Sequence, residues 1–214
     1  MILMKKITNE YFSKFCDVIE RSLTDHSKFE LCLKDMKDAS LDDDHRDYVY
    51  KDTNCNMVVI KLDEYTKDFI IMRRKEQPEV KDHQPKAVDA VCVNKSNEWF
   101  LIEFKNQPLD SALKDITKKM ASSFWLIAFL YSRLSEKMTD ESDLLKFARE
   151  HVTFIAVVSS IQNVDYECAI GASWDEKGPF YTPNKFLKYR GYYFKDAYVL
   201  TEKGLRHFIK KFDE

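Results

Sequence analysis

Asp89, Glu103 and Lys105 stand in places where apolar strands normally avoid charge. They lie within KAVDAVCVNKSNEWFLIEFKNQ, residues 86–107, between two runs of β-branched and aromatic residues, Val88–Val93 and Trp99–Phe104. Two carboxylates held side by side repel unless they share a proton or a hard divalent cation, and Mg²⁺ takes one or two carboxylates while keeping several waters. An ammonium beside such a cation can polarise its bound water and offset charge gathering on a phosphoryl group. These residue types therefore suit metal-assisted attack of water on a phosphodiester.

For that chemistry the three side chains must meet. The polar stretch Asn94–Glu98 reads as a hairpin loop, which makes the two runs antiparallel neighbours. A five-residue loop sets Val93 opposite Trp99 and, four residues further from the turn, Asp89 opposite Glu103. Alternation then puts Leu101, Glu103 and Lys105 on one face of the second strand, and Phe100, Ile102 and Phe104 on the other. Both faces are largely apolar, the pattern of a strand covered on both sides, where an uncompensated charge is costly. A slip of one residue would turn Asp89 to the other face and dissolve the constellation.

Asp89 and the triplet Glu103-Phe104-Lys105 resemble the motif of the PD-(D/E)xK, or restriction-endonuclease-like, phosphodiesterase superfamily, with residues 90–102 as the spacer. The resemblance covers about residues 57–158. It implies an α/β fold with a restriction-endonuclease-like α-β-β-β-α-β core, its central mixed sheet flanked by helices. Asp89 and Glu103 would be ligands of Mg²⁺ or Mn²⁺, the Phe104 backbone carbonyl a third ligand, and Lys105 the catalytic lysine. Gln107 falls where some branches carry an accessory polar residue. Val88 replaces the proline of the motif's name, a change that many members tolerate. The upstream helix glutamate common in the family is best matched by Glu20, with Glu10 and Glu30 as alternatives. The expected function is a metal-dependent nuclease acting on nucleic acid, DNA ahead of RNA, in a form compatible with a homodimer. A non-catalytic nucleic-acid- or protein-binding module on the same fold is the alternative.

The remaining elements must carry this site. A helix capped by Thr8 or Asn9 repeats Phe12, Phe15, Cys16, Ile19 and Leu23 at helical spacing, and a second helix is expected over Phe29–Met36. Residues 35–56, rich in aspartate, read as an exposed acidic loop, with His45 a surface histidine. Met57–Leu62 and Phe69–Arg73 read as strands joined by polar residues 63–68. Arg73, Arg74 and Lys75 and a proline-bearing loop lead to Asp89. After Pro108, a long helix from Asp110 or Ser111 would turn Leu113, Ile116, Met120, Phe124, Ile127, Tyr131 and Leu134 inward, leaving Lys114, Lys118 and Lys119 on a face read as solvated ahead of one that holds a nucleic-acid backbone. Val152–Ser159 reads as a fully buried strand. Beyond it come an apolar segment, Tyr166–Trp174, an aromatic run, Tyr189–Tyr198, read as core or edge packing ahead of stacking on bases, and a closing helix through Leu205, Phe208, Ile209 and Phe212.

Composition bounds these expectations. A chain of 214 residues that is 44% hydrophobic can bury one sizeable core, so a single domain is expected, with residues 1–56 as a helical N-terminal region, 57–158 as the core and 159–214 as an extension. The net charge of −2 supplies no global attraction to nucleic acid, so such contacts must be local. Five scattered cysteines without metal-ligand spacing, and a start without a leader-like apolar run, point to a reducing, cytoplasmic setting without a membrane anchor.

Overall fold

The computed structural model describes residues 7, 9–23, 25–42, 46–68, 86–135, 141–166 and 180–212. Helix α1, Glu10–Ser22, starts at Asn9, whose side-chain oxygen accepts from the N–H groups of Tyr11 and Phe12. Phe12, Phe15, Cys16, Ile19 and Leu23 are buried, as their spacing predicts.

The next segment differs from the single helix expected over Phe29–Met36. Helix α2, Phe29–Cys32, gives way to strand β1, Leu33–Asp35, and then to α3, Met36–Ala39. Pairing Leu33–Asp35 with the neighbouring strand satisfies backbone groups at the sheet edge, and this tertiary gain overrides local helical preference. The acidic stretch is also more ordered than a plain loop. Strands β2, Leu41–Asp42, and β3, Asp47–Tyr48, form a small ribbon, and Val49 and Tyr50 behind it are buried. The Ser40 hydroxyl fixes the return by accepting from the Tyr50 N–H at 3.0 Å.

Strand β4, Val58–Lys61, leads directly into a helix over 62–68, α4, where a polar connection was expected. Leu62 and Tyr65, three apart, are fully buried, so one helical turn carries both inward. The strand expected at Phe69–Arg73 and the Arg73–Lys75 cluster lie outside the described residues. Strands β5, Ala90–Val93, and β6, Trp99–Lys105, follow. Then come helices α5, Leu109–Leu134, and α6, Glu141–His151, strand β7, Val152–Val158, strand β8, Asp196–Thr201, and a last helix, Glu202–Lys210. The N-cap of α5 is Pro108, two residues before the expected Asp110, with no side-chain cap.

The six main strands form one mixed sheet in the order β1-β4-β5-β6-β7-β8. Pairing is antiparallel from β1 to β6 and parallel from β6 to β8. Helices cover both faces. Trp99 packs edge-on against Phe15 of α1 and Phe147 of α6, while Phe100, on the opposite face, meets Phe208 and Phe212 at the C-terminal end. The protein is thus mixed α/β, with a central six-stranded sheet flanked by helices. Among the described residues, no helix is long and apolar enough to cross a membrane.

Candidate active site

The loop-length reading of the hairpin fixes the site. Val93 pairs with Trp99 and Ala90 with Ile102, so the register continued by one step sets Asp89 opposite Glu103. Beyond Ala90 the ladder opens. The Val88 N–H donates instead to the Ser123 hydroxyl of α5 at 3.2 Å, and the Phe104 N–H donates to Asp89 Oδ2 at 2.7 Å. The Asp89 side chain thus takes over a hydrogen bond that the strand would otherwise have supplied. Asn97 closes the other end of the hairpin with φ of 58°, a conformation that asparagine tolerates.

Four charged groups converge at the opened end. Glu103 is fully buried. Its Oε1 lies 2.9 Å from Lys105 Nζ, and its Oε2 accepts from Lys119 Nζ at 2.8 Å. The same Lys119 ammonium donates to Asp89 Oδ1 at 3.0 Å. Lys119 therefore clamps the two carboxylates together from α5, while Lys105 contacts Glu103 from its own strand. Oε1 of Glu103 makes no aligned hydrogen bond despite its ion-pair contact.

Beside this quartet is a cavity of ≈ 250 Å³. Asp89, Phe104, Lys105, Asn106 and Gln107 line it from the site, Lys61 and Asp63 from the end of β4 and the start of α4, and residues 39–42 with Val49 from the acidic ribbon. Lys61 lies 3.8 Å from Asp63 Oδ2, but Asp63 Oδ1 is buried without a hydrogen-bond partner. Strand geometry sends a residue's N–H and C=O to the same side, so the Phe104 carbonyl faces the Asp89 side of β6.

Electrostatics follow from burial. Removal from water, reinforced by the Asp89 charge, pushes the Glu103 carboxyl up to about 8, against the opposing pull of Lys119 and Lys105. Burial alone would lower the Lys119 ammonium, yet the charges of Asp89 and Glu103 outweigh it and hold the proton more tightly than usual. Asp63 is raised, first by burial and further by Asp89.

Asp89, Glu103, Lys105 and the Phe104 backbone thus come together, and Gln107 reaches the cavity wall. Glu20 does not join them: it lies on α1, and no hydrogen bond or ion pair connects it with the quartet among the described residues. Two further charged groups belong to the site. Lys119 was assigned to a solvated face with Lys114 and Lys118, yet it is largely buried; it sits four residues before the buried Ser123, at the border of the inward stripe. Asp63 was assigned to a polar connection, and the helix that starts there turns it toward Asp89.

A hard divalent cation suits the donors at the opened end. They are carboxylate oxygens and a backbone carbonyl, with one buried oxygen lacking an aligned donor. Among the described residues no three His, Cys, Asp or Glu side chains gather closely enough to hold an ion by themselves. Two carboxylates with a carbonyl and waters is a set that Mg²⁺ accepts. Compared with protein-family models, curated proteins and solved structures, the chain matches none of them.

Proposed function

We propose that this chain is a metal-dependent nuclease of the PD-(D/E)xK kind, hydrolysing phosphodiester bonds with DNA ahead of RNA as substrate. One observation carries the reading: Asp89, Glu103 and Lys105 meet at the opened end of one hairpin, beside a cavity, in the register the motif requires. Taken in chain order without the elements between them (α2, β1, α3, β2 and β3, then α4, then α6), α1, β4, β5, β6, α5 and β7 also support a restriction-endonuclease-like core, with β4 in the place expected of Phe69–Arg73.

Asp89, Glu103 and the Phe104 carbonyl would hold Mg²⁺ or Mn²⁺, which when bound lowers the pKa of a coordinated water and neutralises phosphate charge. Lys105, on the cavity wall, would orient the attacking water and offset charge on the phosphoryl oxygens. Phe104 N–H fixes Asp89 Oδ2, leaving Oδ1 as the oxygen facing the cation position. In the free protein Lys119 holds Asp89 and Glu103 together, a role that a divalent ion bound by the two carboxylates would take over. Gln107, on the cavity wall, contributes a polar contact for substrate.

A second reading, a non-catalytic nucleic-acid- or protein-binding module, is favoured by the same Lys119 contacts, which already neutralise both carboxylates without metal. Calorimetry with Mg²⁺ and Mn²⁺ on the wild type and Asp89→Ala, beside cleavage assays on plasmid and single-stranded DNA, separates the two. Metal uptake that vanishes with Asp89, and metal-dependent cleavage lost in Lys105→Ala, is the nuclease outcome. A folded wild-type protein that takes up no metal at millimolar concentration overturns it in favour of the module.

A further inference from the structure

The segment 180–195, FYTPNKFLKYRGYYFK, holds seven aromatic residues and four basic ones with no acidic residue, in a chain whose net charge is −2. Its aromatics divide into two sets. Phe186 and Phe194 are fully buried and pack on Phe154 of β7, whereas Tyr192 is 65% and Tyr193 45% exposed. The exposed rings are held in place. Gly191, at φ of +72°, makes the turn, its N–H donates to the Phe194 carbonyl, and Arg149 donates to the Tyr192 carbonyl at 2.8 Å. Tyr193 contacts Tyr189 on one side and Phe124 of α5 on the other, and Phe124 in turn meets Trp125, 72% exposed. The exposed Tyr193 and Trp125 thus flank the buried Phe124, and Tyr192, also exposed, is next to Tyr193 in the chain.

Charge accompanies these rings. Arg190 pairs with Asp196 and Lys195 with Glu98. Lys185 and Lys188 have no carboxylate partner among the described residues, and Lys188 sits over the Tyr189 ring at 5.0 Å. The Tyr189 hydroxyl touches the Thr117 carbonyl of α5 at 3.4 Å. Around that helix Lys119 lies about 200° from Thr117, and the exposed Lys114 and Lys118 fall between them on the solvent side. The exposed Lys114 and Lys118, the latter paired with Asp115 at 3.7 Å, thus lie on the side of α5 between Thr117 and Lys119, the lysine that clamps Asp89 and Glu103.

We infer that Tyr192, Tyr193 and Trp125, with Lys185 and Lys188, form a stacking platform for unpaired nucleotides, from which a single strand crosses Lys114 and Lys118 to the site. This deepens the nuclease reading and rests on it for the strand's destination. Unpaired bases fit because open rings need free base faces, which a duplex hides, and Lys185 and Lys188, without carboxylate partners among the described residues, suit a phosphodiester backbone.

The test is fluorescence anisotropy of labelled oligothymidylate and of a blunt duplex of equal length, with the full chain in EDTA, so that no cleavage enters. The wild type should bind the single strand more tightly than the duplex. Tyr192→Ala/Tyr193→Ala should weaken single-strand binding on the order of 10- to 100-fold, with circular dichroism unchanged. Lys185→Gln/Lys188→Gln should reduce the salt slope by roughly 1.4. Single-strand binding no tighter than duplex binding, or unaffected by the tyrosine pair, overturns the platform. So does loss of a dimer in that variant at constant strand affinity, which would make the face a self-association surface. Failure of cleavage with binding intact sinks the nuclease reading alone.

Discussion

The two ends of strand β6 carry opposite charges in contact, and they differ in almost every consequence. At the loop end, Glu98 pairs with Lys195 across the surface, with side-chain exposures of 27% and 41%. At the far end, Glu103 is fully buried and is approached by Lys105 and Lys119. Water competes with the first pair, whereas the second must satisfy itself from within the fold. Pairing alone does not make a charge functional. Burial that leaves an open approach on one side makes it a candidate, and the cavity beside Asp89 and Lys105 supplies that approach.

The largest contrast between the two ends should be in activity. Lys105→Ala is expected to reduce metal-dependent cleavage by on the order of 10²- to 10⁴-fold, while Lys195→Ala leaves the rate unchanged in the same single-turnover assay. Equal losses at both ends would mean that β6 acts only as scaffold. Stability should separate them next. Lys119→Met strips the shared ammonium from two carboxylates and should cost roughly 3–5 kcal/mol in urea unfolding, partly restored by Mg²⁺. A loss that Mg²⁺ leaves untouched would remove the cation position from between Asp89 and Glu103.

What could be read from residue order alone was the hairpin and its register, because alternation and loop length together leave one pairing that buries both apolar faces. Asp89, Glu103 and Lys105 follow from that pairing. Lys119 does not, because Lys114, Lys118 and Lys119 look alike until the angle of α5 is known, and that angle depends on Ser123 reaching the Val88 N–H. Asp63 was hidden by the expectation of a loop over 63–68, and only the spacing of Leu62 and Tyr65 hinted at a helix there. The exposed Tyr192 and Tyr193 were assigned to packing, since an aromatic run does not reveal which of its rings Phe186 and Phe194 will displace to the surface.

The pH response sharpens the comparison at smaller amplitude. In the folded, metal-free chain Glu103 keeps its proton up to about 8 instead of the ordinary 4.5. Between those values the folded state holds a proton that the unfolded chain has released, so stability should fall as the pH rises through the window. Urea titrations at about pH 5 and about pH 8 should show that slope in the wild type and lose it in Glu103→Gln. An unchanged slope in the variant would assign it to another group, with Asp63, also raised by burial, next in line.

The smallest effect belongs to the loop end. Glu98→Gln removes one partner of a pair that water reaches from both sides, so unfolding free energy should move by no more than about 1 kcal/mol, and by less as salt is added. Lys195 also donates its backbone N–H to the carbonyls of Ala148 and Val152, and these bonds survive the change. A loss as large as that of Lys119→Met would show that the contact anchors the start of β8 to the hairpin. The contrast between the two ends of β6 would then lie in their access to the cavity alone, with burial no longer its cause.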